Sequence, residues 1–339
     1  MLIGQYGGSM KYCFIINPNA GKGQLVENMK QQIEAVCAQK AVDYDIFLSA
    51  DTDSAKAYIA SVAGDLSEDA RATFFACGGD GTICKTAIAI MELPAGIREK
   101  VAIGVIPMGT GNDFVSNFEN KELFFDIDAQ LDSTPFAVDL LKCNDIYSIN
   151  MVNIGFDCHV VCTKEKIGKK AWVPRKLAYI FSLVLTLIKK PGVSMGFSAD
   201  GSESIDKKLL LTTFANGAFC GGGFNSNPTA SLTDGKIDCI AVRNVGRIKF
   251  LSLVGAYKRG EHLAEKFNKI IDHFKSTEVD MSFDELTPIS VDGEVVYVDK
   301  LHISVEDKAL TVMLPRGVVA KVREIKETVE GAAAEVVAQ

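Results

Sequence analysis

The sequence predicts a two-domain protein: an α/β N-terminal domain with a parallel sheet, then a mainly β C-terminal domain of sandwich type. Three observations predict it. The chain has 339 residues, more than one domain of roughly 100–200 residues uses. Its first third repeats strand, glycine-rich turn and helix. After about Val138 that rhythm gives way to alternating apolar and polar positions, with turn residues about every ten positions. The α/β domain is expected over 11–139 and the β-rich domain over 140–311, with a segment at about 312–330 returning to the first.

Taken in order, "KYCFII" (11–16) is a continuous apolar run, which suits a strand covered on both faces. "NPNAGKG" turns the chain, and Leu25, Met29, Ile33 and Val36 recur at helical spacing behind it. "YDIFLS" is a second strand, followed by a helix that Asp51 or Thr52 caps. "ATFFACGG" and "VAIGVIP" are a third and a fourth strand, each leading through glycines into an expected helix, "GTICKTAIAIME" and "GTGNDFVSNF". In the second half, "DLLKCNDIYSINMVNIGF", "MGFSADGSESIDKKLLLTTFANG", "GKIDCIAVRNV" and the stretch 279–314 read as paired strands. Helices are expected over 164–190 and in "RIKFLSLVGAYKRGEHLAEKFNKI", and the polar tail from Val322 is expected to fray.

Composition excludes several classes. Hydrophobic residues at 47 % and charged residues at 23 % describe an ordinary folded protein. A net charge of −7 speaks against nucleic acid as the partner. The N-terminus has no charged region before an apolar core, so it does not read as a secretory signal; residues 1–9 read as a leader ahead of Met10. No apolar run reaches the ~18 residues that a spanning helix needs. Nine cysteines without a CxxC pair read as reduced thiols in a cytoplasmic protein. Cys158, His159 and Cys162 lie close together, but no second pair completes a zinc site.

Chemistry concentrates in three glycine-rich loops, Asn17–Gly23, Gly78–Thr82 and Gly109–Asp113, each behind a strand of the parallel sheet. Ligands of open α/β sheets bind at that edge. Glycine lets backbone N–H groups approach an anion, and a helix start adds partial positive charge. Three such loops in register make a groove for a polyphosphate, and Asp80 fits there as a contact through Mg²⁺, which shares oxygen ligands with phosphates. Two better-known phosphate motifs are excluded. Gly79-x-x-x-x-Cys84-Lys85-Thr86 has Cys84 where a P-loop needs glycine, and Gly109-Thr110-Gly111-Asn112-Asp113-Phe114 has Phe114 at the third glycine of a dinucleotide fingerprint.

"NPNAGKG", "GGDGT" and "PMGTGNDF", in this order, resemble the catalytic domain of the diacylglycerol kinase family, which includes sphingosine and ceramide kinases and soluble bacterial lipid kinases. "NIGFDCHVV", "NGAFCGGGFNSNPTASLTDGKIDCIAV" and "VDGE" resemble its later blocks, so the likeness runs from about Lys11 to about Pro315. The resemblance implies a phosphofructokinase/NAD-kinase-like first domain, ATP in the cleft, Mg²⁺, and a lipid hydroxyl as acceptor, diacylglycerol foremost. It implies that Asn17, Gly21, Lys22 and Gly23 lie near phosphate and that Thr52 approaches the nucleotide. It implies that Gly78, Gly79, Asp80, Gly81 and Thr82 frame the triphosphate and its Mg²⁺, while Gly109, Thr110, Asn112 and Asp113 complete the floor. Asp292 and Glu294 match a turn that reaches into the cleft, and Asp234 matches a structural Mg²⁺ position of some bacterial members. One departure stands out: the family usually continues GGDGT with Leu-Asn-Glu-Val, and this chain has Ile83-Cys84-Lys85-Thr86.

Transfer to a hydroxyl needs alignment, neutralised phosphate charge and a proton acceptor. Lys22 and the loops supply the neutralisation. Asp292, Asp80, Asp113 and Glu294 are the candidate acceptors; Asp292 is expected as base, Glu294 as Mg²⁺ or nucleotide partner and Asp80 as Mg²⁺ contact, with Asp80 and Asp292 exchangeable. None of the four histidines falls in a glycine-rich loop. The stretch 164–190 joins Lys164, Lys166, Lys169, Lys170, Arg175 and Lys176 to an apolar helix, which suits peripheral contact with an anionic membrane carrying the lipid substrate. The alternatives are an NAD kinase-like enzyme and a non-catalytic nucleotide or lipid sensor. The sequence leaves the oligomeric state open.

Overall fold

The computed structural model describes residues 9–20, 23–156, 158–160, 163, 192–202 and 205–321. The chain divides into two compact units. One takes the chain up to Asp139 and again from Asp307; the other runs from Leu140 to Glu306.

The first unit opens with β1 (Met10–Ile16), α1 (Gly23–Lys40), β2 (Asp43–Leu48), α2 (Thr52–Gly64), β3 (Arg71–Gly78), α3 (Asp80–Met91), the short α4 (Ala95–Arg98) and β4 (Val101–Pro107). β1 pairs in parallel with both β2 and β3, and β3 with β4, so the strand order is 2-1-3-4. Residues on one face of β1 and β3 meet α1: Phe14, Phe75, Met29, Ile33 and Cys37 share one core. Phe14 and Phe75 stack at 4.6 Å, and a Cβ at Gly104 would lie 2.2 Å from the Phe75 ring, so glycine makes room for that layer. The buried stripe of α1 is Val26, Met29, Ile33 and Cys37, with Leu25 45 % exposed. It is rotated one residue from the expected stripe, because the apolar Cys37 extends the face that Val26 begins.

The helix expected after β4 is absent. Asn112 takes a left-handed φ of 54°, only a 3-10 turn at Phe114–Asn117 follows, and Phe118 is extended into β5 (Phe118–Glu119). A second 3-10 turn (Lys121–Phe125) and α5 (Ile127–Leu131) lead to β6 (Thr134–Cys143).

The second unit holds β7 (Ile146–Ser148), β8 (Met151–Gly155), β9 (Val193–Ala199), β10 (Ile205–Ala215), β11 (Phe219–Cys220), β12 (Phe224–Asn225), β13 (Ile237–Arg243), α6 (Arg247–Arg259), β14 (Ile271–Ser276), β15 (Glu278–Val291) and most of β16 (Glu294–Leu314). Its ladders are antiparallel. β10 pairs β9 through 205–209 and β8 through 211–215, while β15 pairs β9 through 279–283 and β8 through 289–291. Register shifts at Leu209/Leu211 and Ser282/Thr287 bend the two long strands where they change partner. The sheet thereby wraps a core of Val152, Ile154, Phe197, Phe214, Phe274, Val279 and Ile303. α6 covers the other face through Leu253 and Tyr257 and stops at Gly260, φ 75°. β16 then returns to the first unit, where Val312 pairs in parallel with Ile103 of β4, and β17 (Val319–Ala320) pairs with β5.

Among the described residues no helix is long and apolar enough to cross a membrane. The basic stretch 164–190 and the tail from Val322 lie outside the described residues.

Candidate functional site

In the first unit, β1, β3 and β4 run parallel and end on one edge, at Ile16, Gly78 and Pro107. The ladder continues one step into the loops: Asn17 N–H donates to Cys77 O at 3.1 Å, and Met108 N–H to Gly78 O at 2.7 Å. The loops are then tied to each other. Asn17 Nδ2 donates to Thr82 Oγ1 at 3.2 Å, while its Oδ1 takes the N–H of Asn19 at 2.9 Å. Phe114 N–H donates to Asp80 Oδ1 at 3.1 Å, joining the start of α3 to the loop behind β4. Gly109 N–H donates to Asn112 Oδ1 at 3.0 Å, closing that loop on itself.

Two glycines hold this rim together. A Cβ at Gly78 would lie 2.2 Å from Thr82 Oγ1, and one at Gly109 would lie 2.6 Å from the Cα of Gly79. Only hydrogen at both positions lets the loops touch. Gly79 caps α3 without a side chain, and Asp80, Gly81 and Thr82 fill its first turn. The first turn carries the positive end of the helix, and within it Thr82 N–H donates to Gly79 O at 2.8 Å. The rim thus sets the start of α3, with the Asp80 carboxylate, at the ends of the parallel strands. Asp113 is buried there, and Thr110 is exposed. Thr52 opens α2 one strand further along; Asp51 is its cap and accepts from Ser54 N–H. Lys85 is half-buried on α3. Gly23 begins α1, while Gly21 and Lys22 lie outside the described residues.

In the second unit, Asp292 and Gly293 form a two-residue hairpin turn between β15 and β16, with φ of 47° and 91°. The Asp292 carboxylate is a hub. Oδ1 accepts from Ser148 Oγ at 2.9 Å, Asn150 N–H at 3.1 Å and Met151 N–H at 2.8 Å, and Oδ2 accepts from Ile149 N–H at 2.8 Å. Three donors share Oδ1 and one reaches Oδ2, so four hydrogen bonds tie this carboxylate to residues 148–151. Glu294, the first residue of β16, is exposed. The "SINM" run that receives Asp292 was not singled out in the sequence. Its only signal there is a short turn between two strands.

Asp234 pairs with Lys275 Nζ at 2.5 Å and accepts from Lys236 N–H at 3.2 Å. An ammonium group stands where the expected Mg²⁺ ligand needed further oxygen donors. No group of three or more His, Cys, Asp or Glu side chains gathers among the described residues. Deeper in this unit, Asp238 is 1 % exposed and accepts from Thr229 Oγ1 and Asn227 Nδ2, with His273 Nε2 at 3.2 Å. Burial pushes its carboxyl up, but the hydrogen bonds and charge of His273, with Thr229 and Asn227, outweigh burial and hold it below the usual range. Burial pushes the thiols of Cys13 and Cys37 up to about 11, so these cysteines stay protonated and inert.

Comparison with known proteins agrees with both units. Residues 11–143 match the family described as the diacylglycerol kinase catalytic domain, and residues 150–314 match the YegS C-terminal NAD kinase beta sandwich-like domain. A protein named diacylglycerol kinase from Mycobacterium tuberculosis is 25 % identical over 317 residues, covering 90 % of this chain and 96 % of that one. A Staphylococcus epidermidis protein provisionally named a lipid kinase is 28 % identical over 242 residues, covering 70 % and 75 %. The crystal structure of a diacylglycerol kinase from Bacillus anthracis shares the fold: TM-score 0.65, 20 % identity, 91 % of this chain and 98 % of that one.

Proposed function

Since this chain belongs to the diacylglycerol kinase catalytic-domain family and is a phosphotransferase, we propose that it moves the γ-phosphate of ATP, with Mg²⁺, to a lipid hydroxyl, diacylglycerol first. The observation that carries this reading is the rim of the first unit: loops behind three parallel strands, bonded to one another, with Asp80 in the first turn of α3.

The rim's residues fit a triphosphate. The backbone N–H of Gly81 in the first turn of α3 offers a donor, and Gly79 and Gly109 allow close approach. They also fit Mg²⁺, which takes one or two carboxylates and completes its shell with phosphate oxygens and water. When bound, the ion neutralises charge on the transferring phosphoryl group. Asp80 is the ligand we assign; the lysine partner of Asp234 argues against a second site there.

The hydrogen bonds of Asp292 change the role expected of it. A carboxylate held by four donors fixes the turn, and the exposed Glu294 beside it is the group we assign to take the acceptor's proton. The acceptor is membrane lipid, reached at the cytoplasmic surface by a peripheral protein. The charge of the stretch 164–190 is one-sided, with Lys164, Lys166, Lys169, Lys170, Arg175 and Lys176 against Glu165 alone, which supports contact with anionic lipid.

The test is incubation with γ-labelled ATP, Mg²⁺ and a total lipid extract, followed by mass identification of the labelled product. Label in phosphatidic acid is the expected result. Label in another lipid phosphate corrects the acceptor; label transferred to added NAD, with none in lipid, replaces the reading by that of an NAD kinase.

A further inference from the structure

The second unit contains a cavity of about 230 Å³ that the reading above does not use. Its walls are Ile289 and Val291 of β15, Val296 and Val298 of β16, and Cys143 and Ile146 at the tips of β6 and β7. We propose that it holds one acyl chain of the lipid acceptor; this rests on the lipid-kinase reading and deepens it.

Register places the cavity beside the Asp292–Glu294 turn. Val291 pairs with Glu294 and Ile289 with Val296. Side chains two apart on a strand share a face. Glu294, Val296 and Val298 therefore form one column, opposite Val291 and Ile289, with the carboxylate at its head and aliphatic cavity wall below it. The other face of the same ladder carries Ser290 against Val295, and of it only Tyr297 reaches the cavity. A second sign of proximity is the Cys143 thiol: burial pushes it up, and the charge of Asp292 adds to that.

The remaining wall is rigid. β6 and β7 turn at Asn144, φ 51°, with Cys143 opposite Ile146. Asn144 Nδ2 donates to Lys300 O at 3.1 Å, Asn144 N–H to His302 O at 2.9 Å, and His302 N–H to Asn144 Oδ1 at 2.9 Å. Three bonds thus pin the β6–β7 tip to β16. The rim carries Tyr297, 63 % exposed, with Asn144 and Asp145. A pocket lined mainly by aliphatic side chains suits a hydrocarbon chain better than a charged or nucleotide group.

The experiment measures kcat/KM for dihexanoyl-, dioctanoyl- and dihexadecanoylglycerol in detergent micelles, for the full-length protein and for Ile146→Trp and Ile146→Ala. Ile146 is half-buried at the cavity wall, so the two changes fill and enlarge it. The expected result is a tenfold or larger fall in the long-to-short kcat/KM ratio for Ile146→Trp and a rise for Ile146→Ala. Thermal melting and ATP affinity report folding separately. A ratio that stays within twofold of wild type in both variants overturns the proposal. If wild type phosphorylates no lipid, the lipid-kinase reading falls first, and the cavity is judged by a fluorescent dodecanoyl probe. Saturable binding that Ile146→Trp abolishes supports it, and no saturable binding to wild type sinks it.

Discussion

Asp80 receives one backbone N–H, from Phe114, whereas four donors from Ser148 to Met151 converge on Asp292. Both aspartates sit beside glycines, yet one carboxylate has a single backbone donor and the other is held by the fold on four sides. Asp292 fixes the entry to β8 and the β15–β16 turn at once, since its own N–H also donates to Met151 O at 2.9 Å. The strongest way to break this comparison is a paired substitution. Glu294→Gln is expected to cut turnover by about a thousandfold, as loss of a general base does, with melting temperature and ATP affinity unchanged. Asp292→Asn keeps an oxygen for Ser148, Asn150 and Met151 but turns an amide N–H₂ toward the N–H of Ile149. It is expected to cost about 1–3 kcal/mol of stability, read by denaturant melting, with the smaller loss of turnover. The reverse ranking in a kinetic and melting assay would return the base to Asp292.

The two units also differ in what acid does to them. His262, in the second unit, is fully buried and rests against Tyr257 at 4.5 Å. Burial lowers its pKa from 6.5 to about 4. Below 6.5 the unfolded chain takes up a proton that the folded one refuses until about 4, so stability is lost as pH falls through that window. The interval corresponds to about 3 kcal/mol at ~1.36 kcal/mol per pKa unit. Asp238, held below the usual carboxylate range, adds a further loss below pH 3.8. Calorimetry between pH 7 and 4 is expected to show the transition of the second unit moving down and away from that of the first. His262→Phe is expected to remove most of that separation; an unchanged pH profile would show that the histidine does not control it.

How much of this was legible in the sequence follows from what each feature depends on. The strands ending at Ile16, Gly78 and Pro107 were readable because a strand covered on both faces is a continuous apolar run, and the glycines behind them because a tight approach has few substitutes. The Asp292–Gly293 turn was readable because both residues tolerate positive φ. The missing helix after β4 was not: the 3.6-residue pattern of "DFVSNF" was real, but Asn112 spends its side chain on Gly109 N–H and its backbone in a left-handed turn. The hub at Asp292 and the cavity beside it were invisible for another reason. They join positions about 140 residues apart, and only the ladder between β8 and β15 brings those together.

The finer predictions sharpen the account of the first unit. Asp80→Asn removes a carboxylate charge from the first turn of α3 while keeping an oxygen for Phe114 N–H, so it is expected to lower turnover by about a hundredfold and raise the Mg²⁺ needed for half-maximal rate. An unaltered Mg²⁺ dependence would remove Asp80 from metal binding. The glycines give a graded series of smaller effects. A Cβ at Gly109 meets the Cα of Gly79 at 2.6 Å and Asn112 Oδ1 at 2.9 Å; one at Gly79 meets Gly109 Cα at 3.3 Å; one at Gly81 meets nothing within 4 Å. Backbone has no flexible end to swing aside, so Gly109→Ala must part the loops, Gly79→Ala needs a shift of tenths of an ångström, and Gly81→Ala needs none in the protein alone. ATP affinity by calorimetry is expected to fall about tenfold, then about threefold, then least. If contact between the two loops is what shapes the cradle, that order holds; should Gly81→Ala weaken ATP most, the phosphate itself presses on the first turn of α3, and the cradle is set by the ligand's approach rather than by the meeting of the loops.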